Sequence, residues 1–306
     1  MMKNDILVVG SMNMDLVVQT DRYPKKGETI IGNDFKLVPG GKGSNQALTI
    51  GKLGGNVSFI GACGKDYFGD ILLSSLKKGG VNTDAVYRLE ESTGIAAITI
   101  EKNGDNRIII VQGANSKLTP EMIDTLKNKI SRAKIVLLQL EVPLETVIHT
   151  IELAHQYNTK VILDPAPARK LPENIYHKID YLLPNEGELD LLLKDYNLPT
   201  LEDKVAQLLD WGVGAVLVTR GEKGISLYTK GMQKTFEAIK VEVVDTTAAG
   251  DAFAGAFSLG LYRNWSIEES INYARIVAAL TVTKLGAQSS LPDISEVEKF
   301  KKEKGL

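Results

Sequence analysis

Apolar residues along this chain fall into two patterns. Short runs that are apolar almost throughout occur at 6–10 (ILVVG), 57–62 (VSFIGA), 134–140 (KIVLLQL), 160–165 (KVILDP) and 215–221 (AVLVTRG). Between them, helix-like segments fall at 42–53, 69–78, 120–130, 145–157 and 202–211. Apolar runs of this length read as strands buried on both faces, and their alternation with helices predicts a parallel sheet with helices on each side. Pro120 and Pro143 fall where first helical turns would begin, a place where a missing N–H costs no hydrogen bond. The fold class expected is α/β, with a three-layer α/β/α core.

Two stretches break the alternation. Residues 15–38 carry LVVQT and ETIIGNDFKLV, and residues 94–111 carry GIAAITIEKNGDNRIIIV, each a strand–turn–strand pattern with no helix inside it. The polar turns fall at Gly27–Glu28 and Asn103–Gly104–Asp105. Together they predict a small antiparallel sheet standing off the core. The expected division is 1–14, 35–93 and 112–306 for the core, and 15–34 with 94–111 for a β-lid. A detached sheet has one bare apolar face, so it is expected to cover a cleft, a second subunit, or both.

Composition narrows the class. With 306 residues, 43% of them hydrophobic, the chain can build a large core, and roughly 75% of its unfolded surface should be buried. A net charge of -2 with both signs interspersed excludes a basic nucleic-acid stripe and a polybasic membrane patch. No stretch approaches the ~20 apolar residues of a membrane span. The apolar run before Gly10 is too short for a secretory signal, and Cys63 is the lone cysteine, so a cytoplasmic protein without an internal disulfide is expected. Cys63, inside FIGACGKD, reads as a small packed residue.

The candidate chemistry contains no Walker loop, no H-E-x-x-H, no C-x-x-C and no G-x-G-x-x-G after the first strand. His149, His155 and His177 lie in or near helical surface segments, where a solvated or packed role is expected. The strongest feature is VVDTTAAGDAFAGAFSLG at 243–260, where small residues precede a helix starting near Gly250. Unpaired N–H groups and the dipole of a helix start favour an anion. Asp251 sits inside that turn, either interacting with the helix terminus or taking a proton from an attacking alcohol, and chemistry alone leaves both open. The loop VPGGKGSNQA offers Gly40, Gly41 and Gly43 for close approach, with Lys42, Ser44 and Asn45 as donors in one turn. Asn13 and Asp15, two apart after the first strand, share one face if extended, and an amide beside a carboxylate suits vicinal hydroxyls. Glu141 and the Asn185–Glu186 pair follow other strands at the same sheet edge, where parallel sheets bind ligands.

In this order, GSMNMD, GGKGSNQA, STGIA, QLE, DPAPA, PNEGE, TRGEKG, DTTAAGD and GAQSS make the whole chain resemble the ribokinase branch of the sugar-kinase family that also holds adenosine kinases, fructokinases and minor phosphofructokinases. The resemblance implies ATP-dependent phosphorylation of D-ribose to D-ribose 5-phosphate, with 2-deoxyribose or another pentose or hexose as the alternative. A non-catalytic sugar-binding protein would be expected to have lost Asp251 or the Gly-rich turns, and both are present. It further implies that Asn13, Met14, Asp15, Gly41, Lys42, Gly43, Ser44, Asn45 and Glu141 hold the sugar. Asp251 would be the base, and the turn Ala248–Ala249–Gly250 would hold developing phosphate charge. Asn185, the loop Thr219, Arg220, Gly221, Glu222, Lys223 and Gly224, together with Gly250 and Arg275, would serve ATP. Mg²⁺ would arrive with ATP near Glu188, and Asp245, Thr247, Thr281, Lys284, Gly286 and Ser290 match a loop for an activating K⁺. The lid would also build a homodimer interface. Ala248 stands where many members have Gly, which points toward ribokinases.

Overall fold

The computed structural model describes residues 5–306, and among these thirteen strands form two sheets. β1 (Asp5–Val9) leads directly into β2 (Asn13–Thr20) and β3 (Asp34–Gly40). Then come α1 (Lys42–Lys52), β4 (Val57–Gly64), α2 (Tyr67–Lys78) and β5 (Asn82–Leu89), followed by β6 (Gly94–Glu101) and β7 (Asn106–Val111). A 3-10 turn at Gly113–Lys117 returns the chain to α3 (Pro120–Thr125), α4 (Lys127–Arg132), β8 (Ala133–Leu138), α5 (Leu144–Gln156) and β9 (Lys160–Leu163). Next are β10 (Tyr181–Leu182), α6 (Glu186–Leu192), α7 (Leu201–Asp210), β11 (Ala215–Thr219), β12 (Ile225–Thr229) and β13 (Met232–Phe236). α8 (Ala249–Tyr262), α9 (Ile267–Thr281) and α10 (Ile294–Lys304) close the chain.

The larger sheet runs β13-β12-β11-β10-β9-β8-β1-β4-β5, parallel from β11 to β5 and ending in the antiparallel hairpin β12–β13. Alternate residues of its central strands feed two separate cores. Ile6, Val8, Ile135 and Leu137 join Leu48 of α1, Leu72 of α2 and Phe257 of α8, whereas Leu7, Val9, Val136 and Leu138 join Ile151 of α5 and Leu189 of α6. Two-faced burial explains why these strands are apolar throughout. The three-layer α/β/α expectation holds.

Boundaries moved where local bonds decide them. The expected helix at 120–130 is divided at Leu126, whose N–H turns to Ile123 O in a tight three-residue bond. Pro120 is the first helical residue behind a Thr119 cap, but Pro143 itself caps α5, which begins at Leu144. The runs expected to extend to 140, 165 and 221 stop at Leu138, Leu163 and Thr219, so their last residues leave the sheet and enter the loops above its edge.

The small sheet has the order β3-β2-β6-β7. The antiparallel pairs β2–β3 and β6–β7 are joined through a parallel pairing of β2 with β6. It begins at Asn13 and takes in Asp34–Gly40, residues on the core side of the expected boundaries at 14 and 35. Its outer strands leave Phe35, Ile108, Ile109, Ile110 and Val111 about half exposed or more. No helix among the described residues is long and apolar enough to cross a membrane.

Candidate active site

The site is built on the edge where β1, β8, β9 and β10 end. Asn13 and Asp15 alternate on one face of β2, as extended backbone requires. The Met14 side chain points the other way and is fully buried in the core, so it offers a ligand only its backbone. Asn115, on the 3-10 turn after β7, binds Met12 through both N–H and C=O and donates to Asn13 Oδ1 at 2.8 Å. That bond fixes the Asn13 amide and leaves its Nδ2 to serve a ligand. Asn13, Asn115, Glu141, Gln112 and Pro167 line a cavity of about 300 Å³ beneath Ile110 of the small sheet.

The Gly-rich loop carries the chain from β3 into α1. Gly41 has φ +93°, and a Cβ there would lie 2.7 Å from Asn13 N, so both conformation and close approach require glycine. At Gly40 the absent side chain makes room for the Asp15 carboxylate. Ser44 does not reach the site, because its hydroxyl is fully buried and donates to the carbonyls of Gly40 and Gly41. Glu141 accepts from Ser11 Oγ and, at 3.0 Å, from Lys42 N, tying this loop to the end of β8.

Asp251 lies in the first turn of α8 and is 5% exposed. Asn45 Nδ2 donates to its Oδ2 at 2.9 Å, and Gln46 Nε2 reaches its Oδ1 at 3.2 Å. Ala248 precedes the helix with φ 62°, a left-handed conformation that residues with a Cβ rarely adopt. Ala249 N turns back to Thr246 O, and no backbone acceptor holds Gly250 N or Asp251 N among the described residues. These two amides are free to donate to an anion. A cleft of about 210 Å³ opens on them, lined by Lys42, Asp164, Asn185, Glu188, Thr219 and Asp251.

Charge in this cleft is unbalanced toward the acidic. Burial, reinforced by Glu141 and Asp251, pushes the Asp15 carboxyl up to about 7. Burial pushes Asp164 up to about 8 against the pull of Lys42. Burial works against the Lys42 ammonium, but Asp251, Asp164, Glu141 and Glu188 outweigh it and raise its pKa. Lys42 is thus a fixed cation among acids, suited to a phosphate or an oxyanion.

The expected nucleotide residues fall into two groups. Asn185 caps α6 in a reciprocal pair with Glu188, and Asn185, Glu188 and Thr219 line the Asp251 cleft. Arg220, Gly221, Glu222, Lys223 and Gly224 form a tight turn beyond it, with Arg220 paired to Glu186. Arg275 on α9 donates to Glu237 O, and its Nε is buried without a partner. Neither that turn nor Arg275 lines the cleft.

Asp245 accepts from Thr247 N and Oγ1 through one oxygen and from Gly286 N through the other. Although burial opposes it, these bonds hold its carboxyl below the usual carboxylate range. An ionised carboxylate joining a turn to the 281–290 loop fits a hard monovalent cation. The Thr281 carbonyl also receives Lys284 N, and the Lys284 ammonium pairs with Glu296, leaving its backbone oxygen as the available donor. Ser290 Oγ donates to Ala287 O. His149 pairs with Asp124, His155 meets His177 edge-on, and no cluster of metal-ligating side chains occurs among the described residues. Burial raises the Cys63 thiol to about 11, consistent with an inert packed residue.

Gln46, Gln139, Asp164 and Asn115 escaped the reading of the sequence. Asp164 follows a buried strand at the sheet edge, the same signal that drew attention to Glu141 and Asn185.

The model of the pfkB family carbohydrate kinases matches residues 3–294. A ribokinase of Lactococcus lactis is 41% identical, the match covering 97% of each chain. A deoxyribokinase of Salmonella typhi is 37% identical over 97% of this chain and 98% of its own. The structure of Arabidopsis thaliana ribokinase complexed with ribose and ATP superposes with a TM-score of 0.91 at 37% identity, covering 98% of this chain and 99% of that one. A match spanning almost the full length, in sequence and in fold, places the chain in the pfkB family of carbohydrate kinases.

Proposed function

We propose that this kinase transfers the γ-phosphoryl group of ATP to the 5-hydroxyl of D-ribose, with Asp251 as the base. The carrying observation is that one buried carboxylate, Asp251, held by Asn45 of the Gly-rich loop, lines the cleft onto which the free amides of its own helix turn open. The 41% identical ribokinase and the solved ribokinase carrying ribose and ATP support the choice of sugar and donor. Asn13, Asp15, Gly41, Lys42, Gly43, Asn45 and Glu141 grip the sugar, and the lid covers it and keeps water out. Asp251 accepts the hydroxyl proton as the oxygen forms its bond to the γ-phosphorus and the bond to the ADP oxygen breaks. The amides of Gly250 and Asp251, with Lys42, face the charge gathering on the transferred group.

Asn185, Thr219, the 220–224 turn, Gly250 and Arg275 serve the nucleotide, with Glu188 beside the Mg²⁺ that accompanies it. Mg²⁺ supplies neutralisation of phosphate charge. Asp245, Thr247, Thr281, Lys284, Gly286 and Ser290 hold K⁺, which acts on the shape of the neighbouring turn. The lid comprises residues 13–40 and 94–111 and pairs two copies, and the enzyme works in the cytoplasm. The test is ADP release against a panel of pentoses, hexoses and nucleosides, in K⁺ and in Na⁺ at equal ionic strength. Ribose should lead, K⁺ should be faster, and Asp251→Asn should lower turnover ~10²–10⁴-fold while sugar still binds. An Asn variant with normal turnover would sink the role of Asp251.

A further inference from the structure

Asp251 and Asp164 come from different elements, α8 and the end of β9, and meet one another through a single side chain. Gln46 Nε2 donates to Asp164 Oδ2 at 2.8 Å and to Asp251 Oδ1 at 3.2 Å. Its Oε1 accepts from Gln139 Nε2 at 2.5 Å. Both glutamines are fully buried. The amide is oriented by Asp251 and Gln139, since turning it over would set Oε1 against the Asp251 carboxylate and Nε2 against a donor. We propose that Gln46 is the positioning residue of the base, its amide donating one hydrogen to each carboxylate so that Asp251 and Asp164 need not share a proton.

The inference rests on Asp251 being the base. Two carboxylates held close in a buried site tend to trap a proton between them, which would fill the lone pair the alcohol proton must enter. The surroundings favour that outcome. Asp15 from β2, Glu141 after β8 and Glu188 from α6 add negative charge, and Lys42 is the opposing cation of the cleft. Burial alone already drives Asp164 toward its neutral form. An uncharged double donor satisfies both acids by hydrogen bonds and adds no charge to the cleft. Gln139 acts one step further back, by keeping Gln46 the right way round.

The experiment measures kcat and KM across pH for wild type, Gln46→Met, Gln139→Met and Asp251→Asn, at saturating ATP. Met fills similar space and donates nothing. In Gln46→Met the neutral-pH kcat should fall by about tenfold or more, and the acid limb of the kcat profile should move up by about one pH unit or more, because the proton on Asp164 is then shared with Asp251. KM for the sugar should change little. Gln139→Met should shift the limb the same way by less, and it carries the test if Gln46→Met does not melt cooperatively. A profile lowered uniformly with its limb unmoved, or an unchanged kcat, overturns the proposal. Turnover surviving in Asp251→Asn would instead remove the base itself, whereas loss there beside unmoved limbs in both glutamine variants removes only the role of Gln46.

Discussion

Asn13 is held by Asn115 so that an N–H, and not a carbonyl, meets whatever occupies the cavity beside it. A buried polar group deprived of its partner costs ~1–3 kcal/mol, so a site built around a hydroxyl rejects the analogue lacking it. The wild type should therefore prefer ribose to 2-deoxyribose in kcat/KM, and Asn13→Met should shrink that ratio by weakening ribose. An unchanged ratio would mean that another group reads the 2-hydroxyl. A second expectation concerns pH. Asp164 keeps its proton in the fold up to about 8, whereas an unfolded chain releases it in the ordinary carboxylate range. Its contribution is thus favourable in acid and is lost as pH rises through that window. Asp164→Asn should leave the melting temperature of the ligand-free protein nearly unchanged near pH 4 and raise it near pH 8, and thermal scans at both pH values check this. The alternation that puts Asn13 and Asp15 together was legible in the sequence, because strand geometry has period two. That Ser44 faces carbonyls and Met14 the core depends on what lies across the loop, which spacing does not encode.

The element that matters most is the start of α8, where Ala248 adopts a left-handed conformation ahead of the helix. For a residue with a Cβ this costs ~1–2 kcal/mol, and a β-branched side chain makes it worse. Ala248→Val should lose ~1–3 kcal/mol of stability in denaturant titrations together with much of its turnover. Ala248→Gly should keep both, since glycine enters that region freely. A valine variant as stable and active as wild type would show that the turn relaxes without harm. The buried strands and most of their helices were readable because a parallel sheet needs apolar residues on both faces. Their ends were not, and the overshoot had a chemical meaning. Gln139, Asp164 and Arg220, read as the tails of strands, are where backbone leaves the ladder and polar side chains converge.

Across the whole molecule, the small sheet leaves Phe35, Ile109 and Val111 exposed on one face, while Ile108 and Ile110 turn to the other. An apolar sheet face of this kind in water invites a partner. If two copies pair through it, wild-type protein should sediment as a dimer and Ile109→Glu as a monomer, with the variant also losing affinity for sugar. A wild-type monomer in the same experiment would leave the lid as a cover alone. The existence of that sheet was visible in two helix-free stretches, but its parallel seam was not, since β2 and β6 lie far apart in sequence and nothing local fixes their register. The seam has a mechanical meaning. Its first register row sets Asn13 between Gly40 and Gly94, and Asn115 clasps Asn13 from the chain returning out of the lid. The residue proposed to read the sugar therefore also sits at the root of the small sheet, so a sugar that seats badly on Asn13 would press on the joint that all four of its strands hang from.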